Sequence, residues 1–269
     1  MKGIAGLVDG IFGNINWMLS NITDVVTKTP ADILGKDYWN GLLKIGTVAV
    51  LPFAIIILSY CMAAELYRVY CRSNGALDLE LVCTTFVKFI LPYFIVIKSY
   101  DLIQWIYRMF NSLITTIYSS LTIGGINAID TSALDKQLQG LSFFDKIGSL
   151  LEIWPLWVAV KLLSVIIIVI IYGRLFEIII LWIFSPIPLA TLASDDIGRI
   201  GKNFIKLFCA AMLQGAVMLL CAALYVCLVK KAVIEPSIGG AFTMLGYSAV
   251  LAATLAVSGS LSKRILGTF

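Results

Sequence analysis

The sequence predicts an all-α integral membrane protein with about five transmembrane helices, and three observations lead to this fold class. Hydrophobic residues make up 60% of the chain and charged residues only 13%, whereas a soluble domain carries about 25% charged residues. The mean hydropathy is +0.95. The apolar residues also gather in runs close to the roughly 20 residues that cross a bilayer as a helix. We therefore expect a single polytopic membrane domain over residues 1–269.

The N-terminal segment 1–28 is predicted to be an amphipathic helix that lies at the membrane interface. Asp9 interrupts its apolar run, and no small-residue cleavage site follows, so an interfacial helix is favoured over a signal peptide. Its apolar residues recur at intervals of three and four positions, the helical period: Ile4, Leu7, Val8, Ile11, Ile15, Met18, Leu19 and Ile22.

Three uncharged runs predict the clearest transmembrane helices, at residues 45–64, 206–229 and 240–262. Each is long enough to cross the hydrocarbon layer, which is about 30 Å thick. They provide the first, fourth and fifth predicted spans.

The second and third predicted spans carry charge inside them. Residues 81–100 are apolar apart from Lys88 and Lys98, and Pro92 predicts a kink. The third span covers 154–184, and a helix of this length measures roughly 48 Å when Ile153 is included. Because that exceeds the bilayer, the helix is expected to tilt, to project beyond one face, or to break near Gly173.

A second amphipathic helix is predicted over residues 101–119, after the second span, at the outer membrane interface. One side carries polar residues at the helical period and the other carries aromatic and aliphatic residues. We call the polar side the polar stripe; its members are Asp101, Gln104, Arg108, Asn111 and Thr115. Residues 122–150 mix Gly, Ser, Thr, Asp and Lys, and they are expected to form the largest connection outside the membrane, on the extracytoplasmic side.

The distribution of basic residues predicts the orientation in the membrane. With five spans, the loops 66–80 and 190–206 and the C-terminal tail fall on one side. They are rich in Lys and Arg for their length, with Arg68, Arg72, Arg199, Lys202, Lys206, Lys263 and Arg264. By the positive-inside rule this side is cytoplasmic. The N-terminus and residues 98–152 are therefore expected outside, and the C-terminus inside.

The composition also argues against common catalytic and metal chemistry. The sequence contains no histidine, which removes the commonest general base and the most frequent transition-metal ligand. Its six cysteines form no Cys-x-x-Cys pair and lie mostly in apolar stretches, as small packing residues do. No glycine-rich nucleotide loop is present. We expect a protein that is not an enzyme and that needs no cofactor or metal.

Charged residues inside spans are the first candidates for function, because a charge in hydrocarbon must find water or a partner. Arg174 and Glu177 are three positions apart on one helical face. They form either a local salt bridge or a pair that faces an aqueous or inter-subunit cavity. Lys88 lies about 12 Å into the second span. Its side chain either reaches the interface or lines a polar path.

The segment after the third span has an unusual proline pattern, with Ser185 followed by Pro186 and Pro188. Two prolines so close together remove two backbone donors and prevent a regular helix, so the chain must turn here. The segment is either a sharp connector between helices or, because it is apolar, a docked or re-entrant piece.

Small residues in the fourth and fifth spans allow helices to approach closely. The main candidates are Gly215, Gly246 and Gly259, with Gln214 as an interhelical hydrogen-bonding group. This pattern serves packing within one chain or between copies of it, and both interpretations remain open.

Several short sequences between Phe144 and about Val229 carry a resemblance to a known family. They are Leu151-Glu152-Ile153-Trp154, Arg174-Leu175-Phe176-Glu177, Phe184-Ser185-Pro186-Ile187-Pro188-Leu189-Ala190-Thr191, Gly201-Lys202-Asn203-Phe204 and Gln214-Gly215. With the predicted spans, they resemble the TrbL-type polytopic inner-membrane subunits of conjugative type IV secretion systems, especially the compact versions of Gram-positive mobile elements. Pro188 departs from the alanine often found in the family.

The resemblance implies a homo-oligomeric, non-enzymatic subunit of the bacterial inner membrane that works beside other secretion-channel subunits. It implies passage of single-stranded DNA with its attached relaxase, and of protein, powered by ATPases on separate chains. Several copies would pack through their small-residue faces, with Lys88 and the polar stripe facing an aqueous region. The alternative is a stand-alone small-molecule transporter or ion channel, in which Lys88, Arg174 and Glu177 serve as substrate or proton sites.

Overall fold

The computed structural model describes residues 2–72, 79–123, 143–194, 196–233 and 238–267. All regular secondary structure in these residues is helical, which confirms the all-α membrane class. The α-helices are α1 (Lys2–Thr27), α2 (Pro30–Leu34), α3 (Lys36–Ile45), α4 (Leu51–Arg72), α5 (Leu79–Ile97), α6 (Ser99–Ile123), α7 (Phe143–Phe184), α8 (Pro186–Ala190), α9 (Gly198–Val233) and α10 (Ile238–Ile265). A π-helical turn (Gly46–Val50) joins α3 to α4, and a 3₁₀ turn (Thr191–Ala193) follows α8.

Four of the predicted spans correspond to helices long and apolar enough to cross a membrane. They are Lys36–Cys71, Trp157–Phe184, Gly198–Val229 and Leu245–Ile265. The predicted span 81–100 is different, because its apolar helical part, Cys83–Ile97, has fewer than 18 residues. The helix ends at Ile97 and a turn at Lys98 precedes α6. The helix of the second predicted span therefore ends three residues before position 100.

Helix α7 is continuous. The sequence had left open whether it tilts, projects beyond one face of the membrane, or breaks near Gly173. It runs for 42 residues from Phe143 to Phe184, about 63 Å at the rise of an α-helix. The alternative of a break near Gly173 is therefore wrong, because the helix passes through this position without interruption. The helix is longer than the roughly 30 Å hydrocarbon layer, so it either projects or tilts.

The contacts divide the chain into two compact units, each built from separate stretches. The first unit takes its described residues from 1–28, 112–174 and 213–262, and the second takes them from 29–111, 175–212 and 263–269. That the chain forms a single polytopic domain stays a prediction. Most of the predicted connection 122–150 lies outside the described residues.

In the first unit, the second half of α1 is amphipathic as the spacing predicted, while the side chains of Ile4, Leu7, Val8, Ile11 and Ile15 lie outside the described residues. Met18, Ile22, Val25 and Val26 are buried, while the opposite side carries exposed polar residues such as Asp24 and Lys28. The apolar side therefore packs against protein. Whether α1 lies at a membrane interface stays a prediction.

The core of the second unit has two parts. Small and medium apolar residues of α4, α5 and α8 pack together, namely Ala54, Leu58, Cys61, Phe89, Val96 and Ala190. A second, aromatic part surrounds Trp182 on α7. Its ring lies 5.1 Å from that of Trp39, 5.2 Å from that of Tyr107 and 6.3 Å from that of Phe208. Trp182 thus ties α3, α6 and α9 to the end of α7.

Candidate functional site

The most unusual polar group of the first unit is Arg174. This arginine lies inside a candidate span, and only 6% of its surface is exposed. A charged group in such a place is costly unless polar groups surround it. Gly215 on α9 makes room for it, because a Cβ atom at this glycine would lie 2.7 Å from Arg174 Cζ. Only a glycine allows α9 to pass so close to the guanidinium.

Next to Gly215, Gln214 makes the interhelical hydrogen bond that its position suggested. Its Nε2 donates to Ser258 Oγ of α10 over 3.1 Å. Ser258 in turn donates to the carbonyl of Leu255. Gly259 lies beside this pair, since a Cβ there would be 3.3 Å from Gln214 Nε2. Gln214, Gly215 and Gly259 therefore form contacts within one chain.

A second hydrogen bond joins the same two helices further along, between Tyr225 Oη and Ser248 Oγ at 2.9 Å. Sequence analysis did not single out Tyr225, Ser248 or Ser258. The two serines belong to a buried stripe of α10 whose members recur every three or four positions: Ser248, Leu251, Leu255, Ser258 and Ser262. This spacing of the serines is visible in the sequence and could have identified both of them.

Gly246 has a different environment from the other two candidate packing glycines, Gly215 and Gly259. It is exposed, and no heavy atom lies within 4 Å of a Cβ placed on it. Ala249, Ala253 and Ala256 of the same helix are exposed as well. Helix α10 thus has one face used within the chain and a second face of small residues that remains open.

Glu177 lies in the second unit and pairs with Lys263 near the end of α10, with 3.6 Å between Oε1 and Nζ. Both side chains are about 40% exposed, and an ion pair of this kind contributes roughly 0–1 kcal/mol. The expected local pair between Arg174 and Glu177 stays a prediction, as does its role in a cavity.

Lys88 lies on the exposed side of α5, and no ion pair to it is present among the described residues. Its neighbours Val87 and Leu91 are strongly exposed. Pro92, four positions later, cannot donate a hydrogen bond to the carbonyl of Lys88. The middle of this apolar helix therefore carries both a charge and a carbonyl that lacks its usual helical donor.

Most of the polar stripe is exposed on α6, namely Asp101, Gln104, Arg108 and Thr115. Asp101 pairs with Lys98 over 3.2 Å. Asn111 differs, because its Oδ1 is buried and has no hydrogen-bond partner. The stripe is thus a polar surface with one member turned inward.

The proline-rich connector is a short buried helix. Ser185 forms the turn after α7, Pro186 is the first residue of α8, and Pro188 is the third. Prolines are tolerated there because the first N–H groups of a helix have no acceptor in that helix. The prediction that two prolines prevent a regular helix holds for a continuation of α7 but not for a new short helix. Helix α8 packs against α4 and α5.

Hydrogen bonds hold both ends of the connector. Tyr100 Oη donates to the carbonyl of Ile183 over 3.1 Å, which satisfies one of the carbonyls freed where α7 ends. At the other end, Thr191 Oγ1 donates to the carbonyl of Pro188 (2.8 Å) and accepts from the N–H of Gly201 (3.0 Å). Thr191 thus caps α9 from outside the helix.

Two serine hydroxyls near the connector are buried without a partner, those of Ser185 and Ser99. Both residues are fully buried. An unsatisfied buried hydroxyl costs about 1–3 kcal/mol.

Two segments of the predicted cytoplasmic side meet in the second unit. Arg68 near the end of α4 contacts both Glu65 and Asp196. Because Asp196 follows the connector, the end of α4 and the start of α9 lie on the same side of this unit.

Within the described residues, no group of three or more His, Cys, Asp or Glu side chains is arranged to hold a metal ion. All six cysteines are free.

Apolar helices long enough to cross a membrane, with a few polar groups buried between them, define a polytopic all-α membrane protein. The chain matches the family model described as TrbL/VirB6 plasmid conjugal transfer like protein over residues 15–186, more than half of its length. The chain belongs to this family. No curated protein and no solved structure matches it.

Proposed function

We propose that this chain is a conduit or scaffold subunit of a conjugative secretion apparatus, and that it supports the passage of single-stranded DNA with its relaxase, and of protein, across the bacterial inner membrane. The observation that carries the proposal is the family match over residues 15–186. The apolar helices agree with a membrane-embedded role. The family does not favour the alternative of a stand-alone transporter or ion channel.

The proposed role is architectural and needs no reaction on this chain. Exposed polar groups, Lys88 on α5 and Asp101, Gln104 and Arg108 on α6, would face an aqueous region of the assembly. A conduit needs such groups because a charged substrate cannot cross hydrocarbon unaided. The ATPases that power transfer would be separate chains.

The proposal includes a homo-oligomer that meets other secretion-channel subunits. The open face of α10, with Gly246, Ala249 and Ala253, supports it, since small residues let helices of neighbouring copies approach closely. The matched test replaces Ala253 by Leu on this face and, as a control, the exposed Thr254 by Leu, about 100° around the helix. We expect only the first variant to reduce the mass of the detergent-solubilised particle; a monomeric wild-type particle would contradict the oligomer.

The proposed orientation places the N-terminus outside and the C-terminus in the cytoplasm. The contact of Arg68 with Asp196 supports the placement of the loops 66–80 and 190–206 on one side, which requires that α5 crosses the membrane as well. The basic residues of these loops then assign that side to the cytoplasm. Reporter fusions after residues 28, 72, 195 and 269 test each position. An N-terminal fusion that is active only in the cytoplasm would overturn the orientation.

Transfer between cells tests the function itself. Deletion of the chain from a donor should reduce conjugation to background, while relaxase cleavage at the transfer origin continues because it precedes export. Expression of the chain in trans should restore conjugation. Unchanged transfer without the chain would refute the proposal, and loss of relaxase cleavage would point to an earlier step.

A further inference from the structure

The first three turns of α6 have one face that packs inside the second unit and two faces that are exposed. The packed face consists of Ile103, Ile106 and Tyr107, none more than 9% exposed. One exposed face is the polar stripe. The proposed conduit assigns no role to the other exposed face.

This other face is apolar, and we call Leu102, Trp105 and Met109 the apolar flank. Each of them follows a residue of the polar stripe by one position, so the apolar flank lies about 100° around the helix from the stripe. Trp105 is 62% exposed and Met109 is 53% exposed. A narrow apolar face beside a polar one is the arrangement of helices that lie in a membrane interface.

The area of the apolar flank is too small for a stable protein contact. A buried aromatic side chain contributes about 150–250 Å², so three partly covered side chains leave on the order of 300 Å². Each partner in a stable protein interface buries about 800 Å². Shallow insertion into lipid has no such minimum.

The contacts of α6 with α7 also orient the helix. Tyr100 donates to the carbonyl of Ile183, and the ring of Tyr107 lies against that of Trp182. The two tyrosines are about 10 Å apart along α6, yet they contact adjacent residues of α7. A helix running alongside α7 would meet residues that are also about seven positions apart, so these contacts fit a crossing of the two helices better than a parallel run.

We infer that the start of α6 lies along the membrane surface, with the apolar flank inserted into the acyl region of the phospholipid leaflet. Helix α7 contains a candidate span, so a helix that crosses it at a wide angle is inclined towards the membrane plane. Helix α6 also begins two residues after the apolar helix α5 ends. Tryptophan suits this depth because its ring is apolar and its N–H reaches the headgroups.

Fluorescence quenching in lipid nanodiscs tests the inference. The six native cysteines are first replaced by serine or alanine in the full chain. Single cysteines then replace Trp105 or Met109 on the apolar flank and, as matched controls, Gln104 or Arg108 on the polar stripe. Each variant carries an NBD label and is kept only if it elutes as the parent does. Quenching is measured with doxyl-labelled phospholipid and with aqueous iodide.

We expect the labels at 105 and 109 to be quenched by doxyl lipid at least twofold more than those at 104 and 108, with the reverse order for iodide. Equal iodide quenching at all four positions would overturn the inference. Protection at 105 and 109 from both quenchers would also overturn it, because protein would then cover the flank.

A second measurement avoids labels and cysteine substitutions. Trp105→Phe keeps an apolar ring at this position, and brominated phospholipid quenches only tryptophans near acyl chains. The quenched fraction of the total tryptophan fluorescence should fall relative to wild type. An unchanged fraction would contradict lipid contact at Trp105.

Discussion

Replacing Gly215 with alanine should lower the stability of the first unit, because the new methyl group would overlap the guanidinium of Arg174. The Cβ would lie 2.7 Å from Arg174 Cζ, whereas non-bonded carbon atoms prefer about 3.5–4.0 Å. A buried guanidinium has to move by about 1 Å, and overpacking of this kind costs about 1–3 kcal/mol. The better helix propensity of alanine returns up to about 1 kcal/mol.

The net loss is therefore between about 0 and 3 kcal/mol, with about 1–2 kcal/mol in the middle of that range. For a chain of this size, each kcal/mol corresponds to about 2–4 °C in Tm, so we expect a fall of roughly 2–8 °C. The assay is the temperature at which the detergent-purified protein loses its monodisperse elution peak, read also by tryptophan fluorescence.

Another glycine provides a matched control. Gly173 has no heavy atom within 4 Å of an added Cβ, and it lies inside a helix. Alanine at this position should leave the Tm unchanged or raise it. If Gly215→Ala were as stable as this control, the close approach of Arg174 would be refuted.

A double-mutant cycle separates the clash from other effects of the substitution. Arg174→Met removes the guanidinium while keeping a long side chain. If the overlap is the cause, Gly215→Ala should be less destabilising on that background, with a coupling energy of about 0.5–3 kcal/mol. Additive effects would place the cause elsewhere.

Three further predictions concern the connector and the charges. Thr191→Val removes the cap on the N–H of Gly201 and should cost about 1 kcal/mol, measured as a fall in Tm; Thr191→Ser should retain most of the stability. Ser185→Ala should be neutral or stabilising by about 1 kcal/mol, since its buried hydroxyl has no partner; clear destabilisation would mean that the hydroxyl is satisfied. Replacing both Arg174 and Glu177 by Leu should leave membrane insertion intact but abolish conjugation, and normal transfer by the double variant would exclude a functional role for the pair.

Sequence periodicity was sufficient for the class of fold and for most helix positions. An apolar run must form a helix in a bilayer, because every backbone donor and acceptor has to be satisfied within the segment. This reasoning placed the spans that match Lys36–Cys71, Trp157–Phe184, Gly198–Val229 and Leu245–Ile265. The amphipathic character of α1 and α6 also follows from spacing alone.

The sequence was less informative about where helices end and which of their faces meet. Both prolines of the connector suggested a break, yet only the packing of α8 against α4 and α5 shows that the break begins a buried helix. Similarly, hydropathy placed the end of the second span at residue 100, whereas the turn at Lys98 ends α5 at Ile97.

The roles of single residues depended on the tertiary structure. Gly215, Gly246 and Gly259 look alike in the sequence, but the first lies against Arg174, the third lies beside Gln214, and only Gly246 remains open. The sequence determined that this chain is a membrane protein with few charges, because hydropathy is a property of each segment by itself. Which charge is buried and which glycine faces outward depends on neighbours distant in the chain, and only the folded structure brings those together.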